Sequence, residues 1–90
     1  MDKDIDLHEL LRQIESLVSV RNRHILWLRY RWGWKQKAIA DLFDKSQSTI
    51  HEAIETSLNA LHPLRESILE YSSQTNDHNL LALREAIENR

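Results

Sequence analysis

Cysteine is absent from the chain, which excludes disulfides, thiolate metal sites and cysteine nucleophiles. Glycine and proline occur once each, as Gly33 and Pro63. Tight hairpins draw on those residue types, so a chain this poor in them reads as all-α. No apolar run approaches the roughly 20 residues needed to span a bilayer. The opening stretch MDKDIDLHELL is acidic and polar, unlike a secretory signal, and points to a cytoplasmic protein without a membrane role. Internal repeats and low-complexity segments are missing as well.

What is present fits one small globular domain of 90 residues, with 41% hydrophobic and 29% charged side chains. A domain of that size has a thin core, which invites a second subunit. The net charge of -2 is unevenly distributed: residues 1–20 carry -3, residues 21–51 carry +5 and residues 52–90 carry -4. A basic middle between two acidic ends marks the centre of the chain as the segment to inspect for a polyanionic partner. Taken alone, a charge run is a solvated face; here the basic block coincides with the helical signals described next.

Apolar periodicity places a first helix over 6–19, with Asp6 as N-cap, Glu9 completing a capping box, and Leu7, Leu10, Leu11, Ile14, Leu17 and Val18 on one face. A second helix is expected at about 22–31, ended by a left-handed Gly33. A third covers 35–43, with Ile39, Ala40 and Phe43 inward, and a fourth runs from Ser46 or Gln47 to about Leu61. Pro63 stops the chain and can open a fifth helix over 63–72; Asp77 can cap a last one carrying Leu80, Leu81, Leu83 and Ile87.

The informative stretch is AIADLFDKSQSTI, residues 38–50. Two helices are separated there only by Asp44-Lys45. Ala40 is small enough to let them cross closely, Ile50 returns to the core shared with Ile39 and Phe43, and Asp44 tolerates a left-handed backbone. Ser46 can cap the next helix by accepting from the N–H of Ser48 or Thr49. Gln47, Ser48, His51, Glu52 and Glu55 are left facing outward. Short polar groups at the N-terminal end of such a helix can reach base edges in a major groove. The alternative reading is an ordinary helical pair in a core, but turn, cap and small residue agree here in a single unit.

Arg23-His24-Ile25-Leu26-Trp27-Leu28-Arg29-Tyr30, then Gly33, Ile39-Ala40, Ser46-Gln47-Ser48-Thr49-Ile50, Ile54 and Leu58 together resemble region four of bacterial sigma factors, over about residues 20–62. The resemblance implies a helix-turn-helix over 21–62 whose second helix lies in the major groove of double-stranded DNA, and a domain able to touch RNA polymerase. Carried over by position, Gln47, Ser48, His51 and Glu52 match base-facing sites. Arg29, Arg31, Lys35, Lys37, Lys45 and Thr49 fall where phosphates would be held. The chain departs from the pattern at Lys35, where a capping Ser or Thr is usual, at Asp44, where glycine is common, and at Glu52 and Glu55, often basic.

These readings converge on an all-α, sequence-specific transcription regulator, non-enzymatic and free of cofactors, with the small size of a phage or mobile-element protein. Apolar stripes over 63–90 suit a homodimer, whose two half-sites would act together. Two rivals stand beside it: a protein-interaction module of the same fold binding RNA polymerase or another regulator, and a DNA-packaging or recombination accessory. Trp32 is either a contact for a partner protein or a half-buried packing residue. Trp34 is expected beside Phe43. The five histidines show no spacing that suits a metal, and the acidic pair Glu52 and Glu55 lacks a pocket or nucleophile.

Overall fold

The computed structural model describes residues 7–88. Those residues form six α-helices and no strand: α1 (Leu7–Leu17), α2 (Val20–Leu26), α3 (Gln36–Phe43), α4 (Gln47–Ala60), α5 (Arg65–Ser72) and α6 (His78–Glu88). No helix among them is long and apolar enough to cross a membrane. The expected capping residue Asp6 lies outside the described residues.

Helix boundaries follow local chemistry. The long first helix stops at Leu17, because Ser19 turns the chain and caps α2, its hydroxyl accepting from Asn22 N–H at 3.2 Å. Helix α2 therefore begins at Val20 rather than at residue 22. It does not continue as α-helix to Arg31: Trp27–Arg31 is a π turn, in which Trp32 N–H bonds the Trp27 carbonyl at 3.0 Å. Gly33 closes it at φ 74°, as expected, and Trp34 N–H returns to the Leu28 carbonyl at 2.8 Å. Pro63 sits in a 3-10 turn, His62–Leu64, that leads into α5. Asp77 caps α6 through Oδ1, which accepts from Asn79 and Leu80 N–H at 3.0 and 3.1 Å. Along α1, Arg12 donates to Glu9 and holds that carboxyl below its ordinary pKa, aided by a bond from Gln13.

One core runs through the chain. Leu10, Ile14 and Val18 from α1 meet Ile25 and Leu26 from α2, Ile39 and Ala40 from α3, and Ile50, Ala53, Ile54 and Leu58 from α4. Leu61, Ile68, Leu80, Leu83, Ala86 and Ile87 extend it into the C-terminal half. Helix α4 packs on α2 and α3, while α6 packs on α5 and on the π turn. The C-terminal helices thus form a further layer over this core.

Several apolar residues are less covered than their spacing suggested. Leu17 is exposed at the end of α1, and Leu81 is exposed on α6, where it alternates out of the buried set Leu80, Leu83 and Ile87. Phe43 is half-buried against the core. Trp34 is 38% exposed in the loop after Gly33 and lies outside the core cluster against which Phe43 packs. Conversely, Ser57 is buried on the inner face of α4, where its hydroxyl donates to the Ala53 carbonyl at 2.7 Å and so leaves no unsatisfied group.

Candidate nucleic-acid interface

Helices α3 and α4 form a compact pair whose crossing is lined by Ile39, Ala40, Ile50 and Ala53, all buried. The turn between them takes the conformation the sequence asks for. Asp44 is left-handed at φ 57°, ψ 46°, and Lys45 N–H bonds the Ala40 carbonyl at 2.9 Å, closing α3. Ser46 is extended and caps α4, accepting from Thr49 N–H at 3.1 Å. Its hydroxyl also lies 2.8 Å from Thr49 Oγ1 and 3.2 Å from Ser48 Oγ. The three hydroxyls therefore form one linked group over the first turn of α4, the end at which the helix dipole is positive.

Beyond that cap, Gln47, Ser48, His51 and Glu52 are all exposed, in register with the buried Ile50, Ala53 and Ile54 behind them. The base-reading candidates are brought together on one outward face at the N-terminal end of a 14-residue helix. Glu55, the second acidic position, is half-buried and engaged in an interaction of its own. Thr49 is half-buried, and its hydroxyl is committed to the Ser46 network.

The cationic candidates divide into two groups. Lys35, Lys37 and Lys45 are exposed around the two-helix unit. Lys35 occupies the N-cap of α3 and makes no side-chain cap bond, and Lys37 lies 4.0 Å from Asp41 one turn on. The two arginines of the π turn are drawn into the protein's own structure. Arg29 is half-buried: Nη1 donates to the Trp34 carbonyl at 3.3 Å, its guanidinium lies 5.7 Å from the Tyr30 ring centroid, and Nε is buried without a partner. Arg31 donates from Nη1 to Asn79 Oδ1 on α6 at 3.0 Å and stacks 4.7 Å from the Trp32 ring centroid. Sequence spacing alone gives no sign of the Asn79 contact, which depends on how α6 docks.

Trp32 is 61% exposed, the more open of the two placements considered for it. Among the described residues no group of three histidine or carboxylate side chains is arranged to hold a metal ion. The geometry presents a capped helix end, four polar side chains on one face and three exposed lysines nearby. Such a surface offers hydrogen bonds to base edges and charge to phosphates. Compared with protein-family models, curated proteins and solved structures, the chain gives no match.

Proposed function

We propose that the protein is a sequence-specific, double-stranded DNA-binding transcription regulator that uses α3 and α4 as a helix-turn-helix. The observation that carries the reading is the α4 N-terminus: the left-handed Asp44 and the Ser46 cap set it at the protein surface with Gln47, Ser48, His51 and Glu52 exposed together. In this reading Gln47 and Ser48 donate to or accept from base edges, His51 reaches the next step, and Glu52 accepts from a cytosine amino group. Lys35, Lys37 and Lys45 supply the phosphate contacts, while Arg31 is held toward α6 by its Nη1 bond to Asn79. The role is binding, without catalysis or cofactor. A homodimer would couple two modest single-site affinities across paired half-sites about one helical turn, ~34 Å, apart.

Selection of genomic fragments by the purified protein at near-physiological salt, followed by sequencing, tests this directly. A shared motif, especially an inverted repeat, is the expected result. Recovery of no sequence above background would overturn it.

A second reading, a protein-interaction module on the same scaffold, is favoured by Glu52, which places an exposed carboxylate beside the candidate reading residues and repels phosphate. It predicts duplex DNA binding too weak to detect at moderate salt.

A further inference from the structure

Helix α4 carries no lysine or arginine: from Ser46 to Leu64 the chain has neither. The commonest specific contact to a base in the major groove is an arginine or lysine donating to N7 and O6 of guanine, and α4 has no side chain of that kind. The exposed cations near the helix pair stand elsewhere, Lys35 and Lys37 at the start of α3 and Lys45 in the turn. What the outward face of α4 presents instead is the carboxylate of Glu52, the amide of Gln47, and Ser48 and His51, which donate or accept as needed.

Glu52 is the restrictive member of that face. It is exposed, whereas Glu55, one turn further on, is half-buried and engaged in an interaction of its own. An ionised carboxylate is an acceptor only. In the major groove guanine N7 and O6 and thymine O4 are acceptors as well; the donors are the amino groups at cytosine N4 and adenine N6. Facing an amino group, Glu52 gains a charge-assisted hydrogen bond. Facing thymine or guanine, it loses water and gains no donor in return, which is a cost rather than a smaller gain. Gln47 leans the same way, since its amide is matched to adenine, accepting from N6 and donating to N7.

Resting on the DNA-binding reading, we infer that α4 recognises its site at the exocyclic amino groups of cytosine or adenine, with Glu52 accepting from one of them, and that it rejects DNA methylated on that amino nitrogen. A paired amino group keeps one hydrogen inside the base pair and turns the other into the major groove. A methyl on the nitrogen of an intact pair takes the second place. The donor that Glu52 needs is then gone, and an apolar group stands against a carboxylate.

The test is selection from a random-sequence duplex library by the full chain and by Glu52→Ala. The library is prepared with ordinary bases, and again with cytosine replaced by N4-methylcytosine, adenine by N6-methyladenine, or guanine by 7-deazaguanine, which lacks the N7 acceptor. The parent is expected to enrich one motif from ordinary and 7-deazaguanine DNA alike. At least one amino-methylated library should lose that motif, with affinity for the best sequence falling about tenfold or more in titration. Glu52→Ala, a change at an exposed helical position, should keep the folded spectrum, lose the methyl penalty and lose the cytosine or adenine preference at one position of the motif. A motif indifferent to both amino-methylated bases, one that depends more on guanine N7, or a penalty that persists in Glu52→Ala would each overturn the inference while leaving DNA binding in place. No motif from any library would overturn the DNA-binding reading and this inference with it.

Discussion

Arg31 and Asn79, 48 positions apart, are joined by a 3.0 Å hydrogen bond that pins the π turn to the first turn of α6. The bond is exposed, so its contribution is modest, about 0.5–1.5 kcal/mol. In a double-mutant cycle, Arg31→Ala and Asn79→Ala should each destabilise, and the pair should couple by about 0.5–1 kcal/mol in urea denaturation. Strict additivity would show that the contact carries no energy.

Asn79→Ala also frees the Arg31 guanidinium. On the DNA-binding reading this raises nonspecific affinity for duplex DNA and steepens its salt dependence by up to about one unit in the log–log slope. Lys37→Ala should act in the opposite sense, flattening that slope by about one unit with little change in sequence preference. Filter or anisotropy titrations across a salt series read both.

Ser46 is the cap of α4 and the centre of its hydroxyl network. Ser46→Ala should cost about 1 kcal/mol of stability, whereas Ser46→Asp should retain the cap and most of that energy. Equal losses for both would show that α4 does not depend on a side-chain cap.

Asp44 holds a left-handed backbone without being glycine. Asp44→Gly removes the steric cost of that conformation and should stabilise the domain by about 0.5–1 kcal/mol, while Asp44→Val should destabilise it by at least about 1 kcal/mol. Thermal melts of the two variants on either side of the parent are the expected pattern.

Gln47 and Ser48 carry the most specific functional prediction. Replacing both by Ala should erase discrimination worth about 1–3 kcal/mol at the base pairs they read, while nonspecific binding changes little. A uniform loss over all sequences would place them on the phosphates instead.

The legible parts of this fold are those decided by short-range chemistry. Gly33, Asp44, Ser46 and Asp77 announce turns and caps through backbone preferences that need no tertiary partner, and each takes the expected conformation. The exposed face of α4 was legible for the same reason: once Ile50, Ala53 and Ile54 are buried, Gln47, Ser48, His51 and Glu52 have only the outside left. What sequence could not give was decided at a distance. Leu17 and Trp34 are apolar without being covered, because periodicity identifies a face but not what lies over it. Ser57 is buried because a hydroxyl can satisfy itself on the preceding turn. The arginines of the π turn point where α6 and the Gly33 loop draw them, and no spacing rule encodes that.

The π turn has a consequence for how this chain tolerates change in length. A five-residue turn holds one residue more than the α-helical ladder requires, equivalent to a single insertion absorbed within a helix. Losing any one residue between Trp27 and Arg31 would restore ordinary helical phase, a change of about 100° that α4, packed on α2, and α6, packed on the turn itself, could not follow without giving up buried contacts. Such a deletion should therefore be read as lost stability rather than as a reoriented helix pair. Length at this point is thus held by the core on both sides of it, and an otherwise similar protein lacking the bulge would align with this one only across a one-residue gap.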